Sequence, residues 1–222
     1  MARNQVKKAS TDTDMTPFVD VAFLILAFFI MATKFKPAEP VPITTPNSVS
    51  SQPLPDNNAV MISIDKDDKV YFSIMSKSDK QKPFDLIVEA SKLRNIPLTT
   101  EDVNSYRDGD MIGMPFSKLK GFFDLPHDQQ LKYKQEGIPV LDSATAELTY
   151  WIAAAKQVFA GEQLKILIKG DAVSKYPVFK AVVDALKKND EQKYNLVTSP
   201  EEAPQGTDLY KERLQGKSKE AK

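Results

Sequence analysis

The chain has 222 residues, room for about one domain or for a small domain with accessory segments, which excludes a large multidomain enzyme. Thirty Lys and Arg balance thirty Asp and Glu, so no net field gathers nucleic-acid phosphates, and neither DNA nor RNA is an expected partner. Cysteine is absent and His127 is the one histidine, which excludes disulfide frameworks, thiolate nucleophiles, zinc clusters and any mechanism that needs two imidazoles.

Carboxylates are the proton-active groups that remain, and the first informative one lies beside an apolar run. From Val21 to Ala32 twelve apolar residues follow one another, too few by themselves to cross a bilayer. Extended to Met15 and Phe35 the segment reaches roughly 32 Å at about 1.5 Å per residue, enough for one transmembrane helix over 15–35 with Lys34 snorkelling at its end. A cleaved signal peptide fits poorly. Asp12 and Asp14 separate the basic Arg3, Lys7 and Lys8 from the run, Asp20 interrupts its start, and Ile30 stands where a small residue should precede Ala32. A core helix of a soluble domain fits no better, because a helix apolar on every face needs a large protein around it. Residues 36–59 instead hold six prolines, no aromatic residue and much Ser, Thr, Asn and Gln, the composition of an extended linker. An isolated apolar helix on such a leash is expected in lipid beside other subunits.

Thr16 followed by Pro17 is a helix-start signal, with Thr16 as cap and Asp20 in the first turn. An interfacial carboxylate that stays wet at the positive helix end would contribute a few tenths to about 1 kcal/mol. Against that reading, Val19 and Val21 flank Asp20, and Thr16 is its polar neighbour one turn earlier. Ionisable groups inside spans are rare and usually face partner helices or a water-filled path, so Asp20 is a candidate proton carrier.

The stretch Asp14-Met15-Thr16-Pro17-Phe18-Val19-Asp20-Val21 and the run behind it resemble the start of the span in the ExbD/TolR family of bacterial inner-membrane proton channels. The resemblance implies that Asp20 binds the translocated proton, with Thr16 as a neighbour in its hydrogen-bond network. It implies a homodimer inside a ring of ExbB-like multi-span subunits, a TonB-like energy transducer, no cofactor beyond the coupling proton, and no chemical conversion of a substrate. It also implies a cytoplasmic N-terminus over 1–14 and a periplasmic remainder. Lysine and arginine counts on the two sides of the span are too even to decide orientation by themselves. Val41-Pro42-Ile43 resembles the short extended stretch that follows the family's helix.

Beyond the linker, Val60–Asp65 and Val70–Ile74 are β-rich runs around a polar turn, a predicted hairpin. The Asp65, Asp67 and Asp68 cluster departs from a calcium loop, which needs Gly at the position of Val70 and Glu at Ser76, and reads as a solvated turn. Residues 84–93 are a predicted helix; 108–110 and Gly113 read as loop, and His127, between Pro126 and Asp128, as a surface or capping residue. A helix over 145–159 carries Leu148, Trp151, Ile152, Ala155 and Phe159 on one face. A strand at 164–169, a helix at 177–188 with Phe179, Val182, Val183 and Leu186 at helical spacing, and a strand at 194–198 complete a strand–helix–strand unit. Its Ile168-Lys169-Gly170-Asp171 resembles the family's strand that ends in an acidic residue before a helix. These pieces predict a single N-terminal transmembrane helix plus a periplasmic α+β domain, two layers with two helices on a sheet, over 60–198. About seventy residues at 75–143 depart from the family as an insertion, and 199–222 reads as a disordered, charged tail.

The function expected from this reading is an ExbD-like subunit that couples proton motive force to outer-membrane transport. Two alternatives stay open: a TolR-like motor serving envelope integrity, and a periplasmic binding protein passively anchored by its helix. Replacing the span with an unrelated apolar helix separates the last from the others, since a tether would keep its function.

Overall fold

The computed structural model describes residues 15–32, 41–49, 52–104, 111–130, 132–142, 146–202, 204–207 and 210–211, in two units, Met1–Glu39 and Pro40–Lys222. In the first unit Thr16–Ala32 form helix α1, which has no polar face: Phe18, Phe23, Phe28 and Met31 are all more than 60% exposed, around the whole circumference. The helix begins one residue earlier than the cap reading places it. The N–H groups of Phe18 and Val19 both donate to the carbonyl of Met15 at 3.1 Å, so Met15 holds the cap position, Thr16 is the first helical residue and Asp20 lies just past the first turn. Pro17 tolerates this register because the first amides of a helix need no partner within it. Among the described residues no helix is long and apolar enough to cross a membrane. The 17 residues of α1 rise about 26 Å against a hydrocarbon core of about 30 Å, and residues 33–35 lie outside the described set.

The second unit is a mixed α+β domain. Asn47–Ser48 form β1, and the predicted hairpin is Ala59–Ile64 (β2) against Val70–Met75 (β3), antiparallel, with Ile62 opposite Phe72. The turn is less solvated than expected. Asp65 is buried, and its carboxylate accepts the N–H groups of Asp67 and Lys69 and the hydroxyl of Tyr71. These donors tie down the turn in which Asp68 takes a left-handed φ of 62°. Burial and then the Asp65 charge raise the Tyr71 phenol well above its usual range, so it stays a donor.

The insertion supplies α2 (Lys82–Leu93), α3 (Thr100–Asn104), α4 (Phe116–Phe123) and α5 (His127–Gln130). His127 opens α5, and its side chain lies outside the described set, as do residues 105–110. Leu148–Val158 form α6, Lys165–Gly170 β4, Tyr176–Lys188 α7, Asn195–Leu196 β5 and Ser199–Pro200 β6. The sheet order is β3-β2-β4-β5, with β4 parallel to both β2 and β5. Alternate residues Val60, Ile62, Ile64, Val70, Phe72, Ile166 and Ile168 enter one core with the buried faces of α2, α6 and α7. All five residues expected on the α6 face are buried. On α7 the fully covered stripe is Val178, Val182, Ala185 and Leu186, while Phe179 and Val183 sit at its margin.

The layer therefore holds three helices, not two, because α2 of the insertion packs on α6. The insertion also occupies the outer edge of β3. Phe72 and Ile112 exchange both backbone hydrogen bonds, at 2.7 and 2.8 Å, and the Ile138 amide donates to Val70 at 2.7 Å. Gly113 lies so close on the Tyr71 ring that a Cβ there would run into it. An edge strand otherwise presents unpaired backbone groups, and these segments supply the partners.

Candidate functional site

Two features carry functional interest, one in each unit. On α1, Thr16 and Asp20 are four residues apart and share a helix face. Asp20 is the one ionisable residue of the helix, and the large apolar side chains of α1 are all more than half exposed. A helix of this composition offers its surface to an apolar environment or to other helices, not to water.

In the second unit the chain from 41 to 49, read from sequence as linker, is strapped onto the domain. Its side chains alternate, with Val41, Ile43 and Thr45 half-covered between exposed neighbours, the period of an extended strand. Asp171 is the clamp. Placed just after β4 by its own N–H bond to the carbonyl of Ile64, it accepts the Val173 amide on Oδ1 at 3.1 Å and the Thr44 amide on Oδ2 at 2.9 Å. The amide of Ala172 returns a bond to the Thr44 carbonyl at 2.9 Å. The Val173 amide and then the Thr44 amide hold the Asp171 carboxyl below its ordinary range, since both stabilise the ionised form.

A second fastening lies further along. The hydroxyls of Thr45 and Ser199 meet at 2.7 Å, β1 pairs in parallel with β6, and the amides of Ser199 and Glu201 donate to Pro46 and Ser48. Residues 199–200, expected in a disordered tail, are thus paired; 212–222 lie outside the described set. Prolines suit this strap. Pro46 lacks an N–H but still offers its carbonyl to Ser199, and an edge position loses nothing by the missing donor. Beside the strap, Ser48, Leu54, Leu167, Tyr194, Leu196 and Pro200 line part of a groove of about 780 Å³, and none of its lining residues is charged.

Of the residues singled out from sequence, Asp20 and Thr16 share one helix. The Asp171 clamp brings Thr44 to a residue recognised only as an acidic strand end. Thr44, Thr45 and Ser199 were not foreseen. Their one local signal is the alternation of Val41 and Ile43, and their partners lie 127 and 154 residues away in sequence.

The family model for biopolymer transport protein ExbD/TolR matches residues 7–201. No curated protein and no solved structure matches the chain. The family match runs from the basic N-terminal segment through Asp20, the strap and Asp171 to the strand at Ser199, and on that extent the chain belongs to the ExbD/TolR family of biopolymer transport proteins.

Proposed function

We propose that this protein is the ExbD-like subunit of an inner-membrane proton channel and motor, in which Asp20 takes up a proton on one side of the membrane and releases it on the other. The observation that carries the proposal is α1 itself: without a polar face, its large apolar side chains exposed all round, with a single carboxylate one turn from a threonine, inside the stretch that the family model matches. In this reading the span continues to Phe35 and brings Lys34 to the headgroups, which supplies the length that α1 lacks. The protein acts as a homodimer inside a ring of ExbB-like subunits, with the second unit in the periplasm and a TonB-like transducer as client.

Each elementary charge that crosses the membrane supplies about 2.3 kcal/mol per 100 mV. Such energy does work only if the protonated and ionised states of Asp20 favour different arrangements of the dimer in its ring. The strap supports a route for transmission. The stretch 41–49 comes before the rest of the second unit in the chain and is pinned at Asp171 and Ser199, so in this reading it is where the second unit would receive a displacement of the span. The TolR-like role uses the same aspartate and the same strap, and differs in the client that receives the work.

Asp20→Asn keeps the shape and cannot ionise. In cells carrying the variant, energy-dependent transport is expected to fall to background, and vesicles holding the assembled complex lose acid-driven proton flux, while Asp20→Glu retains part of both. Normal transport with Asp20→Asn overturns the proposal and leaves α1 as a passive anchor.

A further inference from the structure

A buried carboxyl group lies where α4 of the insertion meets α6. Glu147 stands at the head of α6 and is 8% exposed. Its Oε2 accepts the amide of Phe116, the first residue of α4, at 2.7 Å, and its own amide donates to the carbonyl of Pro139. Around it the Phe116 ring lies on Trp151, 5.1 Å apart and nearly parallel, and edge-on to Tyr150 at 6.3 Å. The guanidinium of Arg94, at the end of α2, rests 4.9 Å from the Tyr150 ring centre and 6.0 Å from that of Phe116. Among the described residues, Arg94 is the charge that acts on the Glu147 carboxyl, and Tyr150 is the titratable group nearest along α6. The lysines of α4 are engaged elsewhere: Lys118 with Glu136, Lys120 with Asp124 and Asp102.

We propose that Glu147 is a protonation-controlled latch on the insertion: the neutral acid holds α4 and the covered edge of β3 closed, and the ionised acid loosens them. A carboxylate here has one backbone amide and a cation that also lies against two rings, in place of a water shell. Burial is the larger influence and raises the proton affinity above that of an ordinary carboxyl, while the Phe116 amide and Arg94 pull the other way. When the insertion lifts, the group regains water and its ordinary affinity. The closed form therefore binds the proton more tightly than the open one, so closure strengthens as pH falls and weakens as pH rises through the closed-state value. The carbonyl oxygen of the neutral acid still accepts the Phe116 amide, so the geometry survives protonation. Loosening exposes what 111–113 and 137–138 cover, the backbone groups of Val70 and Phe72 on the β3 edge, to which an added strand can bind. The latch acts on the insertion from the head of α6, and its operation is independent of proton passage at Asp20.

The test is amide exchange of the full chain in detergent micelles, at Phe116, Phe72 and Ile112, over pH from about 4 to about 8 and corrected for chemical exchange. Protection is expected to fall by about threefold or more with rising pH. With Glu147→Gln it stays high and flat, and with Arg94→Gln, which removes the cation's support for the ionised form, the fall moves to higher pH. A flat or rising wild-type profile overturns the proposal, as does an unchanged slope in Glu147→Gln. Carbon-13 titration of the Glu147 carboxyl in the unsubstituted chain tests it without any variant: a midpoint at or below that of an ordinary carboxyl overturns it.

Discussion

The helix layer and the strap are held to the same domain by opposite means. The layer is fastened by apolar area. Trp151 is fully buried between Phe72 and Phe116, and its indole N–H has no hydrogen-bond partner among the described residues. The strap buries little and is fastened by directional bonds to Asp171 and Ser199. Apolar burial is strong and slow to undo, whereas a few partly exposed hydrogen bonds, each worth about 0.5–1.5 kcal/mol net, can be made and broken.

The largest effect that tests this contrast is expected from Trp151→Ala. Removing a fully buried indole from a ring stack costs about 3–5 kcal/mol, which lowers Tm by about 6–20 °C in a domain of this size. Thermal unfolding followed by far-ultraviolet circular dichroism reads it. A shift of only a degree or two would mean that the layer is not the stable part.

The Asp171 clamp comes next, and its signature is local. With Asp171→Ala the amides of Thr44 and Val173 lose their acceptor, so their exchange accelerates while the core amides of β2 and β4 keep their protection. The pH dependence follows from the lowered carboxyl. A group whose folded-state value is depressed contributes stability that is present above its ordinary value of 3.8 and is lost as pH falls through the folded-state value. The strap should therefore stay fastened from neutral to mildly acidic solution and release only in stronger acid. Glu147 responds with the opposite sign, so acidification firms the insertion before it frees the strap. Thr44 protection that is indifferent to Asp171→Ala would erase the distinction.

The same contrast explains what could be read from the residues alone. The hairpin, α6 and α7 are legible because their signals are local: β-branched and aromatic runs at 60–65 and 70–74 around a polar turn, apolar spacing along α6, and Pro177 in the first turn of α7. Asp20 is legible as a carboxylate in an apolar run, and its role comes from the resemblance, not from any contact in α1. The strap is illegible because its partners are remote and its composition is that of a linker; Pro42 and Pro46 argue for extended chain and say nothing of what it lies on. The helix at 82–93 is visible as an amphipathic run, but its place in the layer depends on α6, more than fifty residues later. Ile112 and Ile138 close the β3 edge through single backbone bonds that leave no periodic trace.

The smallest effect, and the finest test of the strap as one unit, is expected from Thr45→Val. The substitution keeps the branched shape and removes the hydroxyl contact with Ser199, a loss of about 0.5–1.5 kcal/mol that should speed exchange of the Ser199 and Glu201 amides about two- to tenfold. Combined with Asp171→Ala it forms a double-mutant cycle. Should the two fastenings act independently, the losses add, each confined to its own end of 41–49. Should the strap lift as a single piece, either substitution frees both ends, and the second adds little once the first has acted. The amides of β1 and β6 are the ones to watch, because they lie beyond both substituted side chains and report only on the backbone pairing between Asn47–Ser48 and Ser199–Pro200. Full protection of that pairing in the double variant would show that neither side chain holds the strap, and the clamp would have to be sought in the backbone alone.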